Sequence, residues 1–237
     1  MKNHTQNGSI IFYILLAIVL FAALGFAVSS SMRGGSKALS DEMLELQAEE
    51  ILSYAAKMKE TVKTLQLIND CADTEISFES TEWGHTDYDN GSAPDECKVF
   101  DPAGGGLKWT SPSNDLTTLE WEFIANGRVH GIGDSTAGIA DSVDLIIALP
   151  NISDELCQTI NNKISINTIP TDYGDLIDSD TGRFNGTYAS DDNITGSPSS
   201  SHDCDDVESL LCAKSMGCFQ ETMGNQYNIF YQVLIAR

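Results

Sequence analysis

Apolar residues fill the chain from Ile10 to Val28, and no charged side chain occurs between Lys2 and Arg33. At 1.5 Å per residue this run makes a helix of about 28 Å, close to the roughly 30 Å of a bilayer's hydrocarbon core. The pattern then changes. From Ser36 to Ile68 apolar side chains recur mostly three or four apart, at Leu39, Met43, Leu46, Ile51, Tyr54, Met58, Val62, Leu65 and Ile68. Glu42, Glu45, Glu49, Lys57 and Lys63 fill the other faces, so this stretch predicts an amphipathic helix. The first proline is Pro94. Gly25 and the Gly34-Gly35 pair are the weak points, costing about 1 kcal/mol each relative to alanine. The two runs together predict nearly continuous helix over roughly sixty residues, ended by Asn69-Asp70.

Beyond residue 70 the periods are shorter. Ile76-Ser-Phe78 suggests a short strand, and Leu107 to Thr110 a strand and turn. Leu119, Trp121, Phe123 and Ala125 alternate with Glu120 and Glu122, and Asn126-Gly127 is a hairpin-turn dipeptide, so Thr118 to Ile132 predicts a β-hairpin. Val143 to Leu149 is an apolar run with the length of a central strand, closed by Pro150. Ser153, followed by Asp154 and Glu155, caps a short helix with Leu156, Cys157, Ile160 and Ile164 on its buried stripe. A second short helix is expected from Asp205 to Lys214, ended by Gly217. Gln226 to Ala236 alternates strictly, with bulky residues on both faces, and predicts a buried closing strand. The expected fold class is α+β: a long N-terminal helix on a disulfide-stapled antiparallel sheet. The expected divisions are a leader (1–8), a membrane or filament-core helix (9–31), an amphipathic helix (32–69) and a globular domain (70–237).

Charge and cysteines place that domain. Thirteen basic residues face thirty-five acidic ones, a net charge of −22. Such a surface repels phosphate backbones and argues against nucleic acid as a partner. The six cysteines, Cys71, Cys97, Cys157, Cys204, Cys212 and Cys218, all follow the apolar run. No C-x2-C pair exists, and His202-x-Cys204 with Cys212 and Cys218 lacks zinc-site spacing, so disulfides are the better reading. Cys71 and Cys97 bracket one polar insertion and are expected to pair, and Cys157 to join the C-terminal cysteines. Oxidised cysteines put the large part outside the cytoplasm. Lys2 on one side and Arg33 and Lys37 on the other leave orientation by charge open. A secretory signal cut near Ala27-Val28-Ser29 is disfavoured, because the apolar run is too long and its basic region is a single lysine.

A polar leader ending at Gly8, an apolar half-helix from Ser9 to Val28 and an amphipathic half-helix after it resemble the type IV pilins and pseudopilins. The resemblance implies cleavage between Gly8 and Ser9 by a prepilin peptidase. It implies insertion in the inner membrane, then packing of the apolar half against self or related pilin subunits in a filament of pilus or secretion-pseudopilus type. Two positions depart from the family pattern. The mature chain would start with Ser9 rather than phenylalanine or methionine. Tyr13 stands where the family has a glutamate thought to compensate a neighbour's N-terminal amine, and no acid precedes Asp41. An uncompensated charge in an apolar setting is costly. The departure points to a minor or tip subunit, or else to a single-pass anchored periplasmic binding protein that does not polymerise.

No complete catalytic set is legible, so an enzyme is not expected. Gly104-Gly105-Gly106 lacks the strand-in, helix-out context of a phosphate loop. Gly133-Asp-Ser-Thr136 resembles the opening block of GDSL-type esterases, but no late Asp-x-x-His accompanies it, and a serine without a base is a weak nucleophile. His130 reads as a sheet-surface residue. Asp175, Asp178 and Asp180, with Asp191 and Asp192, concentrate carboxylates in the polar stretch 170–203. Calcium is the cation such a loop would take, and some pseudopilins bind it there. The spacing misses the EF-hand pattern and Ala189 stands where its final acid belongs, so a solvated acidic loop is the favoured reading and no cofactor is expected. Length and exposure make 171–203 the expected partner-contact segment.

Overall fold

Helix α1 spans Gly8–Ile68 and contributes to both units of the chain, Met1–Leu46 and Gln47–Arg237. The structure, a computed structural model, describes residues 8–80, 87–129, 131–133, 143–172, 182–189, 192–193, 210–221 and 226–237. Side chains are described for all of these but 8–11, 25–39, 172 and 192–193.

In the first unit, side chains from Phe12 to Leu24 are exposed, the large apolar ones by 46 to 73%. In the second unit the core covers α1 from Ala48 onward. Ala48, Ile51, Ala55, Met58, Val62 and Leu65 are completely buried, spaced three or four apart as a helix face requires. Each large apolar side chain so buried contributes about 1.5–3 kcal/mol. Met43, Leu46 and Ile68, expected on the same stripe, are exposed instead. The first two lie off the stripe, which at 3.6 residues per turn runs back from Ala48 and Ile51 through half-buried Leu44. Ile68 is the last helical residue, where the chain leaves the helix axis. There Asp70 takes φ +56°, and the amides of Asn69 and Cys71 both donate to the Leu65 carbonyl.

The sheet has the order β1-β3-β7-β6-β4, with β1 Glu122–Ile124, β3 Leu145–Ile152, β4 Thr171–Asp172, β6 Met216–Glu221 and β7 Asn228–Ile235. All its pairings are antiparallel except β4 with β6. A separate parallel pair joins β2, Gly127–Arg128, to β5, Asp192–Asn193. Every residue of β7 is buried, as its two-faced bulk suggested, and it lies between β3 and β6. Helix α2, Asp154–Lys163, begins on Ser153, whose Oγ accepts the Leu156 amide at 3.2 Å. Lys163 meets Glu49 of α1 at 2.8 Å, and the Tyr54 ring lies 5.2 Å from that of Trp121. The architecture is therefore α+β, with a mostly antiparallel sheet stapled by disulfides.

Several expected elements take another form. The segment after Asn126-Gly127 does not return along β1. That strand pairs with β3 on one edge, while its other edge binds 182–189: Ala125 donates to Gly182, Phe184 to Phe123 and Ala189 to Ala125. Neither Asn126 nor Gly127 takes a positive φ, and Phe123 to Val129 are all buried. With both edges of β1 occupied, a hairpin partner has no place to pair. Pro150 does not close β3, which runs on to Ile152. The β1 ladder stops at Ala148, so on that side the missing proline N–H is not needed, and an irregularity at Asn151 (φ +59°) follows. Gly217 lies inside β6 rather than at a helix end, and its lack of a side chain makes room for Leu211, which a Cβ there would meet at 2.5 Å. Ile76 to Phe78 forms a single bridge, Ser77 to Lys98, and Leu107 to Thr110 is irregular. The helix expected over 205–214 falls partly outside the described residues, and 210–213 form a turn.

Candidate functional site

Three features stand out: the exposed apolar helix, the covalent staples with the groups around them, and a set of buried polar clusters. Gly8 and Ser9 lie in the first turn of α1, which carries no acidic residue. Tyr13 is 63% exposed and packs edge-on against Phe12, with ring centroids 6.0 Å apart. Of the expected membrane run, side chains are described only from Phe12 to Leu24. Among the described residues no helix is long and apolar enough to cross a membrane.

Cys71 and Cys97 form a disulfide with Cα atoms 5.8 Å apart, closing the polar insertion against the end of α1. Cys157 of α2 is bonded to Cys218 of β6, with Cα atoms 5.4 Å apart. Cys212 is also disulfide-bonded, and Cys204 lies outside the described residues. Beside the second staple sits Asn161, one turn after Cys157 and completely buried. Its Oδ1 accepts the Cys218 amide at 2.9 Å, and its Nδ2 donates to the carbonyls of Cys218 at 2.8 Å and Thr168 at 3.0 Å. The side-chain amide thus stands in for a neighbouring strand along the part of β6 that β4 does not reach.

Asp144, just before β3, is completely buried. Its carboxylate accepts the Val129 amide at 2.8 Å and the Arg237 amide at 3.2 Å. Burial pushes its pKa up to about 6, against those hydrogen bonds and the charges of Arg128 and Arg237, which pull it down. The Arg237 guanidinium lies 3.9 Å from the Tyr188 ring centroid and 3.6 Å from Asp73. In a second cluster the Tyr88 hydroxyl donates to Glu122 at 3.1 Å, and Arg183 pairs with Asp87 and Glu122. Burial raises the pKa of Tyr88 far above its ordinary value, helped by the Glu122 charge. An open cleft of about 290 Å³ is lined by Glu79, Lys98, Phe100, Asp101, Lys108 and Trp109. Lys98 there is already paired with Asp95 at 2.8 Å and Glu79 at 3.2 Å, and Asp101 caps the Ala103 amide. These clusters tie loops to the sheet.

Among the described residues no group of three His, Cys, Asp or Glu side chains could hold a metal ion. The calcium candidates Asp175, Asp178 and Asp180 lie outside the described residues, as do all four histidines and the Asp-Ser-Thr of the esterase-like block. Gly104 and Gly105 are packed tightly, not poised for phosphate. A Cβ on Gly104 would lie 2.7 Å from the Asp95 carbonyl oxygen, and one on Gly105 would collide with Thr61 and the Val99 carbonyl. No protein-family model, curated protein or solved structure matches the chain. Sequence reading missed Asp144 and Asn161. Asp144 interrupts an apolar run and Asn161 follows a helical cysteine by four, which are the signals that could have found them.

Proposed function

We propose that the chain is a filament subunit of the type IV pilin or pseudopilin kind, built from a membrane-inserted helix and an exported, oxidised domain. The observation that carries this reading is the order of segments: a polar leader ending at Gly8, an apolar stretch with no charge before Arg33, then the amphipathic stretch. The membrane half and the amphipathic half together make the long helix that this reading needs. Apolar side chains exposed from Phe12 to Leu24 favour lipid or neighbouring helices around them, because large contiguous apolar surface is rarely left to water. Disulfides fit an oxidising compartment. In this reading a prepilin peptidase cuts before Ser9, the apolar half leaves the inner membrane, and copies or related subunits replace the lipid. The acidic domain faces outward on the filament and does not bind nucleic acid.

Tyr13 favours a minor or terminal position in such a filament. A hydroxyl offers a hydrogen bond but not the carboxylate that would be set against a neighbour's ammonium. The same residue supports a second reading, a single-pass anchored periplasmic protein that never polymerises. Shearing native cells and probing the released filaments separates the two. Recovery in the sheared fraction, lost when the assembly ATPase is deleted, is the expected result. Retention of all the protein in the membrane, with filaments otherwise intact, would leave only the anchored reading.

A further inference from the structure

Asparagine two residues before serine or threonine is the acceptor pattern for N-linked glycans. It occurs at Asn3, Asn7, Asn90, Asn151, Asn185 and Asn193. The folded domain treats the three whose side chains are described very differently. Asn90 is buried, and its Nδ2, the atom a glycan would occupy, donates to the carbonyls of Thr74 at 2.8 Å and Ile76 at 3.3 Å. Asn151 is exposed, but Ile152 after it is buried in the core and the Ser153 hydroxyl is occupied capping α2. Asn185 and Thr187 are both exposed, and among the described residues neither side chain has a hydrogen-bond partner. Between them Gly186 takes φ +89°. A Cβ on Gly186 would lie 2.7 Å from the Asn90 side-chain carbon and 2.8 Å from the Thr74 carbonyl oxygen, so the turn rests directly on the buried Asn90 amide. The loop is braced from below, with its acceptor amide and its hydroxyl both open to solvent.

We infer that Asn185 is an N-glycosylation site, modified on the folded, exported domain by an oligosaccharyltransferase using a lipid-pyrophosphate-linked oligosaccharide. A bond forms between Asn185 Nδ2 and the sugar's anomeric carbon as that carbon's bond to the pyrophosphate oxygen breaks. The pyrophosphate leaves on the lipid, and the amide proton passes to the transferase's base. The exposed Thr187 supplies the hydroxyl that such enzymes require two positions on. The inference takes from the filament reading only the exported position of the domain.

The test is peptide mapping of the full chain purified from its native cells. Trypsin with a protease cutting before aspartate puts Asn90, Asn151 and Asn185 in separate peptides, 89–94, 144–153 and 184–190. Peptide 184–190 is expected to carry a glycan mass, with the other two bare. Asn185→Gln and Thr187→Ala should abolish that mass, and Thr187→Ser should keep it. An unmodified or merely deamidated Asn185, a glycan on Asn90, or mass retained on 184–190 in Asn185→Gln each overturns the inference. The intact mass of the same sample reports the amino terminus. A Ser9 start with bare Asn185 defeats this inference alone, while a retained Met1 with a glycosylated Asn185 defeats only the filament reading.

Discussion

Replacing Asn161 by alanine tests whether a single side-chain amide substitutes for a strand. The substitution strips the Cys218 N–H and C=O of their partners inside the domain, since both face away from β7 and both bonds are buried. Leaving a buried polar group unsatisfied costs about 1–3 kcal/mol, so the two backbone groups together cost roughly 2–6 kcal/mol. The Thr168 carbonyl is only partly buried and adds less. Against a typical total of about 5–15 kcal/mol, this is a large share of the domain's stability. In a chain of this size each kcal/mol moves Tm by roughly 2–4 °C, so a shift near 10 °C is expected. Asn161→Asp should fare no better, because a carboxylate can accept the Cys218 amide but would face two carbonyl oxygens. The assay is urea unfolding of the oxidised full chain in detergent, followed through the fluorescence of buried Trp109 and Trp121. A midpoint for Asn161→Ala equal to the parent's, or an Asn161→Asp variant as stable as the parent, would refute the reasoning.

The raised pKa of Asp144 fixes a sign. Its folded value, about 6, exceeds its ordinary 3.8, so the stabilisation from the bound proton is complete below pH 3.8 and is lost as pH rises through 6. The difference in unfolding free energy between the parent and Asp144→Asn should therefore change by about 3 kcal/mol across that window and level off above it, and a pH-independent difference would contradict the assignment. Gly105→Ala should cost about 1–3 kcal/mol by urea titration, because the added methyl collides with Thr61 and the Val99 carbonyl; a neutral substitution would show that the loop yields freely. Removing the Cys71–Cys97 bond, which closes 26 residues, should cost about 3.5 kcal/mol by loop entropy, and removing Cys157–Cys218, across 61, somewhat more. The double variants Cys71→Ser/Cys97→Ser and Cys157→Ser/Cys218→Ser compare the two, and an equal or reversed order would point to strain or residual unfolded-state structure.

Much of the fold was legible where a local signal and the tertiary environment agreed. The cap at Ser153, the stop at Asn69-Asp70 and the buried closing strand each rest on residues that specify their own conformation. The hairpin at Asn126-Gly127 failed because turn propensity says nothing about which edges of a strand are already taken, and here 182–189 holds the outer edge of β1. Spacings of three and four put Met43 and Leu46 on the stripe, but at 3.6 residues per turn the buried line of Ala48, Ile51 and Ala55 runs back through half-buried Leu44, so both lie off it: small errors of spacing add up to the wrong face. Pro150 looked like a strand end because its missing N–H matters only opposite a partner, and β1 stops two residues earlier. Asn161 and Asp144 could not be assigned roles from sequence, because their partners, Cys218 and Arg237, are distant in the chain. Of the expected site, the cysteine pairing of 71 with 97 followed from bracketing a single insertion. The processing point and packing helix rest on residue order alone.

The mature amino terminus tests the central claim most directly. Intact mass and N-terminal sequencing should be run on protein from cells with and without the prepilin peptidase. A chain beginning at Ser9 in the first and at Met1 in the second is the expected result. A chain that keeps Met1 in both, or one that begins near Ser30, would contradict it.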